Sequence, residues 1–229
     1  MKTLFFAFFA LATIALLPSC GCDYADTNID NCVPKIKRMS LYNANGKVYQ
    51  IIESEYNGDG NVSRTVSKYY NDGGTEISNT TTTFSYNDNK IELSDGSYYS
   101  LYDDGMVISN SMLTGQNITY DSDGFITEIQ TGTEAYVHYY ENGNLDKIDI
   151  EYSNNVAQPY YQYAYYTDKE NTIGNQNMGQ PYLGKQSKNL AKTITGQGTP
   201  LEYTYDFYSN GNVKAVYRNN YLHAEYEYY

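Results

Sequence analysis

An all-β fold is what this sequence predicts: an antiparallel meander of roughly fourteen to sixteen strands in one curved or closed sheet. Three observations predict it. The first is a series of chain-reversal pairs: Asn45-Gly46, Asp59-Gly60, Asp72-Gly73, Asp95-Gly96, Asp104-Gly105, Asp123-Gly124, Asn142-Gly143 and Asn210-Gly211. These residues tolerate the positive φ that tight hairpin turns require. Several pairs recur at a fixed offset after a tyrosine and before an aliphatic residue. Tyr102 to Gly105 leads to Val107, Tyr140 to Gly143 leads to Leu145, and Tyr208 to Gly211 leads to Val213. Tyr42, Tyr56 and Tyr120 stand one residue further from their glycines. The repeating unit is therefore one antiparallel hairpin.

The second observation is period-two alternation between the turns. Val48, Gln50, Ile52 and Tyr56 oppose Glu53 and Glu55. Leu201, Tyr203, Tyr205 and Phe207 share one face, and Glu202, Thr204 and Asp206 share the other. Leu222, Ala224, Tyr226 and Tyr228 oppose His223, Glu225 and Glu227. Such spacing describes strands with one covered and one solvated face. No amphipathic helix is legible after residue 19. The segment from Thr167 to Asn189 breaks the pattern: it carries Gly, Pro, Asn and Gln with few apolar residues, and reads as a long irregular loop. Residues 34–229 make a single β domain.

Third, the aromatic load is almost wholly tyrosine, with 29 Tyr, 7 Phe and no Trp. Tyrosine favours strands and accepts a half-buried site, its ring covered and its hydroxyl wet. Most of these rings therefore line half-wet sheet faces, and the lack of Trp weakens a carbohydrate platform. Mean hydropathy is low at −0.63, yet disordered chains lack such aromatics, so the chain is a folded domain with a wet surface.

The N-terminus sets the address. Lys2 supplies a positive start, Leu4 to Leu17 an apolar run too short to span a bilayer comfortably, and Leu17-Pro18-Ser19-Cys20-Gly21 a junction. This resembles the bacterial lipoprotein signal, which implies removal of residues 1–19, acylation of Cys20, and a lipidated tether over residues 20–33. The expected location is the bacterial cell envelope, anchored to the outer membrane on its periplasmic side or at the cell surface. Cys22 and Cys32 then remain, either bridged in a small loop beside the anchor or as two free thiols. Loss of Lys2 makes the mature chain one unit more negative than the −12 of the full sequence. A chain so acidic is a poor partner for nucleic acid, whose phosphates demand a Lys/Arg surplus.

The lipobox, the serial Tyr…Asp/Asn-Gly hairpins, the Gly184 to Lys192 segment with Ser187-Lys188-Asn189-Leu190, and the closing Tyr203 to Val213 stretch resemble a Bacteroides-type lipoprotein family. That family is a domain of unknown function with a porin-like β fold; YD-repeat hairpins are a weaker similarity. The resemblance covers most of residues 34–229 and implies a porin-like barrel or curved sheet without known catalytic residues. A bilayer-spanning barrel needs continuous apolar outer faces. Here Glu, Asp, Lys and Thr occupy that face, so a soluble, tethered domain is expected.

No catalytic constellation stands out. His138 and His223 lack a motif around them, no Gly-x-Ser-x-Gly elbow occurs, and the acidic turns lack calcium-loop spacing. No enzyme activity, cofactor or metal is therefore expected. Two functions remain. One is a lipoprotein binding a small, partly apolar ligand, lipid-like or glycan, with Tyr161, Tyr163, Tyr165, Tyr203, Tyr205 and Phe207 as a core stripe or a cavity wall and the 167–189 loop closing over its mouth. The other is a surface protein meeting another protein or glycan through a Tyr-rich sheet.

Overall fold

A computed structural model describes residues 33–229, apart from residues 113–114, 153–155 and 197. The leader at 1–19, Cys20, Cys22 and Cys32 lie outside the described residues. Sixteen strands run in order: β1 (Ile36–Tyr42), β2 (Val48–Tyr56), β3 (Val62–Tyr70), β4 (Glu76–Asn87), β5 (Lys90–Leu93), β6 (Tyr98–Leu101), β7 (Val107–Asn110) and β8 (Gln116–Tyr120). There follow β9 (Ile126–Thr131), β10 (Glu134–Glu141), β11 (Asn144–Tyr152), β12 (Ala157–Glu170), β13 (Asn189–Thr195), β14 (Leu201–Phe207), β15 (Val213–Arg218) and β16 (Tyr221–Tyr228).

Each strand pairs antiparallel with the next, and β1 pairs with β16, so one sheet curls into a nearly closed barrel. Only β7 and β8 adjoin without a backbone ladder. Side chains bridge that seam. Tyr120 Oη donates to the Val107 carbonyl at 2.9 Å, and Tyr102 Oη to that of Ile118 at 3.1 Å. The same device recurs at other strand ends, with Tyr56, Tyr86 and Tyr208 donating to the carbonyls of Ile36, Val62 and Tyr226. This explains the tyrosine before so many turns. The ring covers apolar surface while the hydroxyl satisfies a carbonyl of a neighbouring strand or the one beyond it.

The turns divide into two kinds. Gly46, Gly60, Gly105, Gly124 and Gly211 have φ between +72° and +88°, whereas the Asn or Asp before each does not. These are three-residue hairpin loops with a glycine bulge, and the register slips beside several of them accordingly. In the Asp72-Gly73 turn the left-handed residue is Gly74, not Gly73. Only Asn142-Gly143 has both residues left-handed, at +52° and +77°, and Asn219-Asn220 achieves the same without glycine. At Gly143 an added Cβ meets only Lys188 Cβ, at an ordinary 3.6 Å. The penalty for Gly143→Val is thus conformational, an expected loss of about 1–3 kcal/mol. An unchanged denaturation midpoint would contradict this account of the turn.

Alternation places the core on the inner face. On β2, Gln50, Ile52, Ser54 and Tyr56 are buried, while Glu53 and Glu55 point outward to Lys68 and Arg64. Two apolar clusters fill the interior. One gathers Met39, Ile52, Tyr56, Val62, Tyr203 and Val216; the other gathers Ile91, Val107, Ile118, Ile129, Tyr136 and Ile150.

Residues 171–188 join both clusters, and here the structure corrects the sequence reading. Instead of an irregular loop over the mouth, this segment is a plug folded into one end of the barrel. Met178 packs in the first cluster; Tyr182 and Leu183, on a short 3-10 turn (Pro181–Leu183), pack in the second. Its low hydropathy misleads because amides, not hydrocarbon, make burial tolerable. Asn175 Nδ2 donates to the Gly184 carbonyl at 2.9 Å, Asn177 Nδ2 to Pro34 at 3.0 Å and Asn171 Nδ2 to Ser187 at 3.1 Å. Buried polar groups so bonded carry little penalty.

Candidate functional site

Consecutive hairpins put alternate turns at opposite ends of the barrel. The plug seals the end that holds the turns following β2, β8 and β10. The Val62 amide donates to the Gly179 carbonyl at 2.9 Å, that of Lys185 to Gly124 at 2.8 Å, and that of Lys188 to Gly143 at 2.9 Å. Ile36, where β1 begins, donates its amide to the Asn177 carbonyl at 3.0 Å. At the other end lie eight of the thirteen large apolar side chains that stay exposed among the described residues, including Tyr49, Tyr69, Ile77, Met112, Val156 and Tyr221. That concentration marks the unplugged end as the candidate site.

The predicted wall residues are partly brought together. Tyr161, Tyr163 and Tyr165 form one column of rings on β12, with centroids 6.4 Å apart at each step and the last two stacked at 20°. Register sets Tyr161 opposite Ile148 and Tyr163 opposite Ile194, both core-packed, so the column faces inward. Tyr203, Tyr205 and Phe207 form a second set on β14, but β13 lies between the two strands. The six residues differ in availability. Tyr203 is buried, and the Tyr205 hydroxyl is committed to the Ala191 carbonyl at 2.8 Å. Tyr165 donates to the Leu145 carbonyl at 2.9 Å and meets Ser187 Oγ at 2.8 Å, beside the plug. Phe207 is exposed at the plugged end, with Lys169 Nζ 5.6 Å from its ring centre. Tyr161 remains 36% exposed, although one ring face lies on Gly196, whose Cβ would fall 2.6 Å from Cε1. Tyr163 is half-buried and completes the accessible part of the wall.

Electrostatics make this wall a neutral hydrogen-bonding surface. Burial raises the phenols of Tyr163, Tyr203 and Tyr205, and pushes Tyr165 up to about 12. None ionises near neutrality, so none is poised as a nucleophile or base. His138 faces inward opposite Ile148, its Nδ1 3.0 Å from the Tyr136 carbonyl, and burial lowers its pKa to about 4. It is therefore a neutral core imidazole at physiological pH.

Two surface clefts lie elsewhere. One, of about 350 Å³, runs between the plug and β4–β7, with Tyr86, Ile91, Leu101, Met106 and Tyr182 as floor and Asp88 and Asp104 at its rim. The other, of about 130 Å³, sits on the outer face among Arg38, Tyr208, Lys214, Glu225 and Glu227. No predicted wall residue lines either one.

No described protein family matches the chain, and neither does any curated protein sequence. Solved structures do. A porin-like protein from Bacteroides uniformis ATCC 8492 matches with a TM-score of 0.58 at 17% identity, over 85% of this chain and 98% of that one. The fold is porin-like. A second porin-like protein, from Bacteroides vulgatus ATCC 8482, aligns over 86% of this chain and 99% of its own, at 11% identity and a TM-score of 0.31. The porin-like part of the family resemblance thus stands on structure, whereas the lipoprotein part rests on the leader.

What sequence reasoning missed in this porin-like barrel is the plug. Its available signal was Gly179 and Gly184 flanking the apolar Pro181-Tyr182-Leu183 triplet inside a polar stretch. Both glycines are left-handed, at +66° and +85°, and both press against tyrosine rings.

Proposed function

We propose that this chain is a non-catalytic, lipid-anchored protein of the bacterial cell envelope that binds a small, partly apolar ligand in the open end of its barrel. The observation that carries this reading is the contrast between the two ends. One is stoppered by the chain's own residues, while the other keeps inward-facing tyrosines and exposed apolar side chains around it. Rings with wet hydroxyls suit a ligand having both apolar faces and a few polar groups.

A water-facing barrel agrees with the outer surface. The ion pairs Arg38–Glu227, Arg64–Glu55, Lys68–Glu53, Lys90–Glu92 and Lys147–Asp149 all lie on outward positions of the sheet. In a bilayer each Arg or Lys near the midplane would cost about 2–4 kcal/mol. Attachment through lipid at Cys20 requires no such band. The second reading, a surface protein docking another protein or glycan, draws on the same exposed rim, notably Ile77, Val156 and Tyr221.

Two measurements test the proposal. Cys20→Ala should move the chain from the membrane fraction to the soluble fraction; sedimentation with membranes at high salt would refute the anchor. The released chain should bind a hydrophobic dye, and native mass spectrometry after purification from its own host should show a small adduct. Neither dye nor adduct would transfer the assignment to the docking function.

A further inference from the structure

The chain has three arginines, and two have carboxylate partners on the outer face: Arg38 with Glu227 and Arg64 with Glu55. The third, Arg218, is exposed and has no carboxylate within ion-pair reach among the described residues. It ends β15 at the unplugged end, opposite Tyr203 of β14 and Tyr221 of β16. Register sets its direction. Val216, two residues earlier, is buried in the core opposite Tyr205, so Arg218 opposite Tyr203 shares that inner face.

The neighbours of this guanidinium come from across the barrel wall. Tyr69 of β3 stands opposite the buried Gln50, hence also inward at this end. A bulge at the start of β2 places Tyr49 beside it, and the Tyr49 hydroxyl lies in the fields of both Arg218 and Tyr69. Burial raises the Tyr49 and Tyr203 phenols, and Arg218 opposes the rise in each. Burial lowers the His223 imidazole on β16, and Arg218 lowers it further. Side chains of β2, β14 and β16 thus converge on one cation, with Tyr69 of β3 next to Tyr49. Tyr49 and Tyr69 are exposed by 37% and 36%, so their rings are open to a ligand. One residue pair deeper, half-buried Leu41 and Tyr205, level with Ala224 and Val216, continue the lining inward.

We propose that Arg218, held by Tyr203 and flanked by the rings of Tyr49 and Tyr69, receives the carboxylate of an amphiphilic ligand whose apolar body lies toward Leu41 and Tyr205. This names the ligand class for the binding function above and rests on that reading. A guanidinium offers a planar fork matched to a carboxylate, and it is weakly hydrated enough to serve among aromatic rings. In a chain with a net charge of −12, an inward arginine with no carboxylate partner among the described residues is a local exception to a field that otherwise repels anions.

The test compares decanoate with decanol, which share an apolar body and differ in the charged head. Binding to the chain released by Cys20→Ala can be followed by calorimetry or by tyrosine fluorescence. Decanoate should bind roughly tenfold tighter than decanol, the scale of a charge-assisted hydrogen-bond pair. Arg218→Gln should abolish that preference, bringing decanoate affinity down to that of decanol. Tyr49→Ala should weaken both probes alike. Equal affinities in the parent, or a preference surviving Arg218→Gln, would overturn the arginine assignment while dye uptake keeps the open-end site intact. Failure to take up dye, decanoate and decanol together would overturn the site itself.

Discussion

Gly179→Ala should unseat the plug and destabilise the barrel by about 2–4 kcal/mol, the scale of overpacking combined with backbone strain. Gly179 has φ +66°, and an added Cβ would fall 2.6 Å from Tyr56 Cδ1 and 2.9 Å from the Val62 nitrogen. Neither neighbour yields easily. The Tyr56 ring is buried, its hydroxyl held by the carbonyls of Ile36 at 2.9 Å and Asn177 at 3.2 Å. The Val62 amide itself donates to Gly179. Gly46→Ala is the control, since Gly46 has a similar φ of +72° with nothing within 4 Å of the new Cβ. It should lose only about 1 kcal/mol, from conformation alone. Urea denaturation would measure both, and limited proteolysis of the Gly179 variant should show new cleavage within 171–188. Equal losses for the two variants would mean that the plug is not tightly seated.

Acidification should weaken the fold through His138. Its folded pKa is about 4 against an ordinary value of 6.5, the lowering caused by burial and partly offset by the Tyr136 carbonyl. The unfolded chain therefore takes up the proton first as pH falls. The stability at stake is fully present above pH 6.5 and is lost progressively between 6.5 and about 4, by up to roughly 3 kcal/mol. His138→Asn removes the titrating ring and should flatten the dependence of stability on pH between 6.5 and 5, above the range where most carboxylates protonate. The comparison of slopes isolates His138 from the general effect of acid. Parallel slopes for parent and variant would refute the assignment.

Much of the fold was legible because hairpins are local. The face assignments for Gln50–Tyr56 of β2, for β14 and for Ala224–Tyr228 of β16 follow from side-chain alternation, whereas bulges turn Val48 and Leu222, which the same alternation puts on the inner face, to the outer one. The tyrosine before the turn was visible as a repeat, but its purpose was not. Tyr56 needs the Ile36 carbonyl and Tyr120 the Val107 carbonyl, partners 20 and 13 residues away. No spacing rule shows which carbonyl is left to satisfy. The candidate site was legible only as a composition. Tyr161, Tyr163 and Tyr165 were identified as a common face, whereas their different exposures depend on Gly196 and Ser187, which approach from other elements.

By itself the sequence determined the approximate strand number, most turn positions, the inner and outer faces away from bulges, and the acidic charge, because these follow from neighbours within a few residues. Only the tertiary structure decided that β1 meets β16, that β7 and β8 join through tyrosine hydroxyls, and that residues 171–188 enter the barrel. The last outcome turns on side-chain amides whose partners lie on distant strands. Asn177 reaches Pro34 across 143 positions. A polar segment is tolerated inside when most of its polar groups find such partners, and those partners exist only in the closed barrel.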